Sequence, residues 1–186
     1  KYADTDQDRQ NHWNAMMAEL MGKETGYCKG RGGSMHIAEV EKQNNLGSTG
    51  IVGGNQPPAV GAALAEKFKK SGRVVLSFFG DGSTNTGTFH ESMNMASTLK
   101  VPLVAIIENN LYGMSVPFSG SEIEGTLCAS NIEDIAMRAA AYNVPAMIVD
   151  GQDVVAVFQA VGQAVEYARR NGDMMMIECK TYRWYG

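Results

Sequence analysis

Cysteine is scarce in this sequence: only Cys28, Cys128 and Cys179 are present, and no two of them have Cys-x-x-Cys spacing. An odd number of isolated thiols argues against a disulfide framework and against a structural zinc site. We therefore expect the three thiols to be buried or unreactive and the protein to be cytoplasmic, where thiols stay reduced.

Long apolar runs and an excess of one charge are also missing. No apolar run approaches the roughly 20 residues that cross a bilayer, and no charged-then-apolar start indicates secretion. The 16 Lys and Arg against 20 Asp and Glu leave a net charge of −4, and the basic residues are dispersed. This pattern argues against binding to nucleic acid or to an acidic membrane. A length of 186 residues suits a single domain with a substantial core, so we predict one domain over residues 1–186.

The most informative stretch runs from Val74 to Ser115. Val74 to Phe79 is an apolar run typical of a strand buried on both faces, and it stops at a Gly-Asp-Gly turn. Apolar residues from Thr88 to Leu99 recur at helical spacing, and Val101 to Ile107 predicts a second buried strand. The stretch therefore predicts a strand, helix, strand crossover in a parallel sheet.

Asp81 and Asn110 follow these two strands. Because ligands of an open parallel sheet gather outside the carboxyl ends of its strands, we expect the two side chains to face one another. A carboxylate and an amide oxygen form a sparse set of hard ligands, which suits Mg²⁺ completed by water and phosphate oxygens. Gly82 and Ser83 lead towards a helix entrance, where backbone amides favour phosphate.

A Gly-Asp-Gly turn alone is weak evidence, since such turns need Gly and Asp for backbone reasons. Its pairing with Asn-Asn across the crossover is far more specific and resembles the thiamine diphosphate enzymes. The segments GDGSTNTGTFHESMNMAS and IENNLYGMS are similar to the alpha subunit of the 2-oxo acid dehydrogenase first component, as in pyruvate and acetoin dehydrogenases.

This resemblance implies a doubly wound parallel α/β sheet that binds thiamine diphosphate and Mg²⁺. It implies an oxidoreductase that cleaves a 2-oxo acid such as pyruvate, or acetoin, and passes the acyl fragment to a lipoyl acyltransferase. The family places the glutamate that activates the cofactor on a separate beta subunit, and neither Glu91 nor Glu108 is assigned that role. An α2β2 assembly with the cofactor across the interface follows.

The resemblance also implies roles for individual residues. Asp81 and Asn110 would hold the metal together with the Tyr112 carbonyl, and Gly82 and Ser83 would donate backbone hydrogen bonds to the diphosphate.

Four further residues are assigned in the same way. Gly50 and Val52 would present main-chain groups to the aminopyrimidine ring, Met114 would prop the cofactor in a bent form, and His36 would be an active-site residue. The residues themselves leave other interpretations open: a tight turn before a helix, ordinary loop packing for Met114, and a structural histidine.

The two ends of the sequence depart from the family pattern. Residues 1–12 are polar and lack periodicity, so we predict an arm or a remnant, without the Tyr-Arg pair that the family uses to hold diphosphate. The chain stops where the family places an active-centre histidine, so we expect both ends to be truncated. The glycine-rich loop from Thr25 to His36, with Lys29 and Arg31, is either a phosphate flap or a flexible connection.

The remaining elements alternate as βαβ units should. The pattern predicts a short helix from Trp13 to Gly22 with an apolar face, a small-residue helix over 59–68, an exposed loop over 116–130, a helix starting at 131 or 132, strands over 144–149 and 174–179, and a long helix capped by Asp153. In that long helix Val154, Val157, Phe158, Val161, Val165 and Ala168 are predicted to point inward.

Two alternatives to the dehydrogenase interpretation stay open. One is another thiamine diphosphate lyase or a transketolase-like half. The other, from a different class, is a non-catalytic subunit that keeps the fold and the metal but has lost turnover.

Overall fold

The structure is a computed structural model that describes residues 5–119 and 127–185. Its contacts divide the chain into two compact units, residues 1–51 and 52–186, which are described separately below. The single domain over 1–186 stays a prediction.

The first unit contains helix α1 (Asp6–Leu20) and the short helix α2 (Val40–Gln43). Thr5 and Asp8 form a capping box, in which the Thr5 hydroxyl accepts from the Asp8 amide and the Asp8 carboxylate accepts from the Thr5 amide. The prediction of an arm over residues 1–12 was therefore wrong for residues 6–12, and residues 1–4 lie outside the described part. The helix predicted from Trp13 is present but begins earlier.

The predicted apolar face of α1 is largely open to solvent. Met17, Leu20 and Met21 are all more than half exposed. The buried residue of this helix is instead Glu19, whose role is described with the site.

The second unit alternates helices and strands, as predicted. Its elements in chain order are α3 (Gln56–Lys69), β1 (Val75–Gly80), a 3₁₀ turn (Asp81–Asn85), α4 (Gly87–Leu99), β2 (Leu103–Asn109), β3 (Tyr112–Gly113), β4 (Val116–Pro117), a 3₁₀ helix (Ile135–Tyr142), β5 (Ala146–Asp150), α5 (Val154–Asn171) and β6 (Met175–Lys180).

Four of these strands form a parallel sheet in the order β1-β2-β6-β5. One face carries α3, α4 and the 3₁₀ helix, whose apolar residues pack with Phe79, Leu103 and Ile107. The other face carries α5, whose Ala164 and Ala168 pack with Val104 and Ile177. Helices therefore cover both faces, which confirms the predicted α/β fold with a parallel sheet.

Strand β1 differs from the prediction of burial on both faces. It lies at the edge of the sheet, and Leu76 and Phe78 are 40% and 54% exposed. The reason is that α5 packs over β2, β6 and β5 and leaves this face of β1 uncovered. An apolar run in the sequence does not distinguish an edge strand from a central one.

Helix α5 begins as predicted, because the Asp153 carboxylate accepts hydrogen bonds from the amides of Val155 at 2.8 Å and Ala156 at 3.1 Å. The inward orientation predicted for Val154 and Phe158 was wrong, since each is 80% exposed. The element predicted from residue 131 or 132 begins only at Ile135 and is a 3₁₀ helix.

The loop predicted over 116–130 is more structured than expected at its start. Val116 and Pro117 form β4, which pairs antiparallel with β3, and Phe118 is fully buried. Residues 120–126 of this predicted loop lie outside the described residues. Across residues 5–119 and 127–185, none of the helices combines the length and apolar character that a bilayer crossing requires.

Candidate metal and cofactor site

The sheet brings the two predicted metal ligands to the same edge. Strands β1 and β2 are parallel neighbours, with Gly80 opposite Glu108. Asp81 follows β1 directly, and Asn110 follows the last residue of β2. The expectation that the ends of two successive strands converge is confirmed by this register.

The Asp81 carboxylate is the most unusual group at this edge. Asp81 is 1% exposed, and its Oδ2 has no hydrogen-bond partner among the described residues. Desolvation by burial raises the pKa of Asp81, opposed by the backbone amides of Asp81, Asn110 and Gly82 and by the charge of Arg183. A buried carboxylate oxygen with one unfilled acceptor position fits a cation, and the Asn110 amide among its neighbours shows that the second strand end is close.

The turn after Asp81 is held rigidly by its own side chains. The Thr84 hydroxyl donates to the Asp81 carbonyl at 2.7 Å, and the Thr86 hydroxyl donates to the Ser83 carbonyl at 2.8 Å. Thr86 also caps α4 by accepting from the Phe89 amide. The result is a short, ordered turn at a helix entrance, the kind of backbone that binds phosphate.

Gly82 lies against the loop that carries Asn110, the second predicted metal ligand. A methyl group on Gly82 would lie 3.3 Å from Gly113 Cα, closer than most such contacts allow. The two backbones therefore approach each other closely, and a side chain at Gly82 would separate the 3₁₀ turn Asp81–Asn85 from the loop over residues 110–114. We use the name metal loop for residues Asn110 to Met114.

The metal loop contains two non-glycine residues in the left-handed region, Leu111 at φ 70° and Met114 at φ 56°. Such conformations cost on the order of 1–3 kcal/mol each and cluster at functional sites. The Asn110 side-chain oxygen accepts from the Tyr112 amide at 3.1 Å. Pro117 stands opposite Tyr112 and has no N–H, so it cannot donate to the Tyr112 carbonyl that is predicted to face the metal.

Met114 and Arg183 meet at the edge of the loop. The Met114 side chain is 83% exposed, and its carbonyl accepts from Arg183 Nη1 at 2.7 Å. The exposed Met114 side chain, at the end of the metal loop, is compatible with the predicted prop beneath a cofactor. That role stays a prediction. The sequence interpretation did not assign Arg183.

Arg138 is another residue that sequence reasoning missed. From the 3₁₀ helix it donates to the Thr84 carbonyl, to Asn85 Oδ1 at 2.7 Å and to Ser130 Oγ at 3.2 Å, while its guanidinium lies over the Phe118 ring. Arg138 thus fixes the end of the turn Asp81–Asn85 to the 3₁₀ helix. The contacts with Thr84 and Asn85 join residues 54 and 53 positions apart, so no local pattern in the sequence could have indicated them.

The first unit contains the predicted active-site residue His36, which is exposed. Its Nδ1 lies 3.2 Å from the Ser48 carbonyl oxygen, and a methyl group on Gly50 would lie 3.8 Å from its ring. Val52 belongs to the second unit and is 63% exposed. The roles of His36, Gly50 and Val52 stay predictions.

Glu19 organises the glycine-rich loop of the first unit. Its carboxylate is buried and accepts from the amides of Cys28 at 2.8 Å, Gly30 at 2.9 Å and Gly32 at 2.6 Å. Desolvation raises the pKa of Glu19, but these amides and that of Gly33 together lower it. The loop with Lys29 and Arg31 is therefore built around a carboxylate rather than being a merely flexible connection.

No cluster of three or more His, Cys, Asp and Glu side chains suited to a metal occurs within residues 5–119 and 127–185. A site formed by one carboxylate, one amide and backbone carbonyls contains only one side chain of these four types. This is the ligand set that suits Mg²⁺ rather than zinc.

Comparison with known proteins identifies the family. Residues 8–186 match the dehydrogenase E1 component family. The chain belongs to this family. Its relatives include the alpha subunit of acetoin:2,6-dichlorophenolindophenol oxidoreductase from Bacillus subtilis, 50% identical over 93% of this chain and 49% of the relative. They also include the pyruvate dehydrogenase E1 component subunit alpha from Rhizobium meliloti, 40% identical over 92% of this chain and 47% of the relative.

Solved structures give the same fold. Benzoylformate decarboxylase from Polynucleobacter necessarius matches with a TM-score of 0.53 and 18% identity, over 76% of this chain and 26% of that one. This likeness concerns the fold alone. The resemblance inferred from the Gly-Asp-Gly and Asn-Asn segments is thus confirmed at the level of the E1 family and its alpha subunits, and the chain spans about half the length of the curated relatives it matches.

Proposed function

We propose that this chain carries the thiamine diphosphate and Mg²⁺ half-site of an E1 alpha subunit. The complete enzyme would cleave acetoin or a 2-oxo acid such as pyruvate and pass the acyl fragment to a lipoyl acyltransferase. The observation that carries the proposal is the buried Oδ2 of Asp81, which lies beside the Asn110 amide and has no hydrogen-bond partner within residues 5–119 and 127–185.

Each part of the site has a distinct task. Asp81, Asn110 and the Tyr112 carbonyl would hold Mg²⁺, and the amides of Gly82 and Ser83 would bind diphosphate oxygens. Gly50 and Val52 would contact the aminopyrimidine, and Met114 would support the cofactor. When bound, thiamine diphosphate supplies the carbanion chemistry that cleaves the bond beside a carbonyl.

The described residues would bind the cation and orient the cofactor, but none of them is assigned as the activating carboxylate. Glu91 and Glu108 are both exposed, one on α4 and one at the end of β2. We therefore propose that a beta subunit supplies that group in an α2β2 assembly, and that His36 contributes from this chain. The acetoin relative is itself an alpha subunit, which is compatible with such an arrangement.

The substrate proposal places acetoin first and pyruvate second. Support comes from the order of identities, since the acetoin relative from Bacillus subtilis is 50% identical and the pyruvate relative from Rhizobium meliloti is 40% identical. A cytoplasmic location is part of the same proposal, supported by the odd number of cysteines and the lack of Cys-x-x-Cys spacing in the sequence.

The decisive experiment is calorimetric titration of the full chain, with its co-expressed beta subunit, with thiamine diphosphate and Mg²⁺. We expect saturable binding that requires both ligands and that Asp81→Ala abolishes. Asp150→Asn is the matched control, because Asp150 also ends a strand of the sheet but is exposed and already accepts from the Gln152 amide. Unchanged affinity in Asp81→Ala would refute the site.

Turnover then separates the possible substrates. Acetoin, pyruvate and branched-chain 2-oxo acids are assayed with an artificial electron acceptor in the assembled enzyme. Binding without turnover of any of them would indicate a non-catalytic subunit.

A further inference from the structure

We propose that Glu178, acting through Asn109, is a positioning residue that fixes the metal loop in its ligand-binding conformation. Both residues are fully buried, and neither belongs to the predicted ligand set. The inference rests on the proposed function in one respect only, namely that the loop it fixes contributes ligands to Mg²⁺.

A continuous chain of hydrogen bonds joins Glu178 to the loop. Asn109 Nδ2 donates to Glu178 Oε1 at 2.7 Å, and Asn109 Oδ1 accepts from the Leu111 amide at 3.0 Å. Glu178 Oε2 accepts from the Ala136 amide at 2.8 Å. One carboxylate on β6 is therefore connected to the end of β2, to the metal loop and to the 3₁₀ helix.

Each donor and acceptor in this chain of hydrogen bonds can be assigned. Because the Leu111 amide can only donate, the Asn109 atom facing it must be the oxygen, so the Asn109 amino group must face Glu178. Because the Ala136 amide also donates, Glu178 must accept at both of its oxygens. Glutamine at this position can accept at only one of them.

This chain of hydrogen bonds ends at Leu111, a strained residue of the metal loop. Leu111 has φ 70°, a conformation that persists only when its surroundings hold it in place. Leu111 is also 43% exposed, so packing holds it weakly, whereas its amide is bound by the buried Asn109 side chain. Leu111 lies between Asn110 and Tyr112, and a change in its backbone would move both predicted ligands.

Lys180 balances the buried charge. Its Nζ lies 2.8 Å from Glu178 Oε1 and 2.8 Å from Asp134 Oδ1, and it donates to the Glu133 carbonyl at 3.1 Å. Desolvation lowers the pKa of Lys180, but its bonds to Asp134 and Glu178 raise it overall. Glu178 is thus a fully hydrogen-bonded anchor with a neighbouring positive charge, and removing its acceptor character disturbs the chain rather than the packing volume.

A swap of donor and acceptor tests the proposal directly. Asn109→Asp places two carboxylates face to face, and Glu178→Gln leaves one N–H donor facing another. In the double variant the polarity is reversed and satisfied. The introduced carboxylate on β2 accepts from the Leu111 amide and from the amino group of the introduced glutamine, whose oxygen still accepts from the Ala136 amide. Lys180 loses Glu178 Oε1 as an acceptor, so its ammonium must turn from the introduced amino group towards its other two partners, the Asp134 carboxylate and the Glu133 carbonyl.

Two readouts are measured on the full chain with its beta subunit. In the absence of ligand, hydrogen exchange of the segment 109–115 is expected to be faster in each single variant and to return towards wild type in the double variant. The Kd of thiamine diphosphate with Mg²⁺ is expected to be about 10–100-fold weaker in each single variant and to recover to within about 3-fold in the double variant. Asp134→Asn, which removes the charge of a partly exposed partner of Lys180 but leaves the hydrogen bonds from Glu178 to Leu111 intact, serves as the control with near wild-type values.

The outcomes separate this inference from the proposed function. Wild-type protein that binds the cofactor, with single variants that bind equally well, overturns the positioning role and leaves the proposed function standing. Single variants that weaken binding without rescue in the double variant also overturn it, since they reveal only a packing or charge effect. If exchange is faster in the single variants and recovers in the double variant, but the wild-type protein binds no cofactor, the proposed function is overturned. The assignment of a ligand to the loop is then overturned with it.

Discussion

Replacing Asp81 by Asn is expected to have opposite effects on ligand-free stability and on cofactor binding. In the ligand-free protein the Oδ2 of this carboxylate is buried without a partner among the described residues, and burial raises its pKa. The neutral amide of Asn keeps one oxygen for the backbone amides of Asn110 and Gly82 and removes a charge that burial disfavours. The same substitution removes the only carboxylate assigned to Mg²⁺.

The magnitude follows from the cost of an unsatisfied buried group, which is roughly 1–3 kcal/mol. Asn replaces the orphan oxygen by an amino group that also lacks a partner, so we expect a gain near the lower end, about 1 kcal/mol. For a chain of this size that corresponds to a rise in Tm of about 2–4 °C. Cofactor and Mg²⁺ at about 100 times their Kd would stabilise the wild type by about 2.7 kcal/mol and the variant not at all.

Thermal unfolding with and without thiamine diphosphate and Mg²⁺ measures both effects. The order of the two Tm values should reverse when ligand is added, with the variant higher without ligand and the wild type higher with it. Asp150→Asn should show neither change, because that carboxylate is exposed and hydrogen-bonded. A variant that melts below the ligand-free wild type, or one that ligand stabilises as strongly, would refute the reasoning about the orphan oxygen.

Three other substitutions probe neighbouring parts of the fold. Met114→Ala, which keeps a Cβ and so the same backbone cost at φ 56°, is expected to lower kcat on the order of 10–100-fold while the cofactor Kd stays nearly constant; equal turnover would remove the role of a prop. Gly53→Ala should destabilise by about 1–3 kcal/mol in urea titrations, because at φ 83° its methyl group would lie 2.5 Å from Thr88 Oγ1, whereas Gly61→Ala meets nothing within 4 Å and should be neutral or stabilising. Desolvation, and then the charge of Arg138, lower the pKa of His90 in the folded protein. The unfolded state therefore binds more protons as the pH falls through about 6.5, and the free energy of unfolding should fall from about pH 7 to 5. His90→Gln should flatten this pH dependence, and an unchanged slope would show that another group titrates.

Helix α1 shows how a local signal is overlooked when apolar periodicity alone is followed. Thr5 and Asp8 form a capping box that was present in the sequence, yet the polar composition of residues 1–12 indicated an arm. Met17, Leu20 and Met21, which helped to define the predicted apolar face, are more than half exposed, and a glutamate is the buried residue of the helix. Capping chemistry was therefore a better guide here than hydrophobicity.

The burial of individual residues was less predictable than the order of the helices and strands. The apolar residues of β1 and the first turn of α5 looked like core, but Phe78 and Phe158 are 54% and 80% exposed. Which strand lies at an edge, and which side of a helix faces the sheet, depend on the packing of distant elements rather than on the composition of a segment.

By itself the sequence determined the crossover and its candidate ligands: two apolar strands around an amphipathic helix, with an acid after the first and an amide after the second. That much is local, because strand length, helical periodicity and turn chemistry are properties of neighbouring residues. Only the tertiary structure decided that Asp81 keeps an unpartnered oxygen among the described residues, that Arg138 supports the turn beside it, and that Glu178 on a third strand holds Asn109. The last two contacts join residues about 50 to 70 positions apart, and their donor and acceptor roles exist only once the parallel sheet has aligned its strand ends.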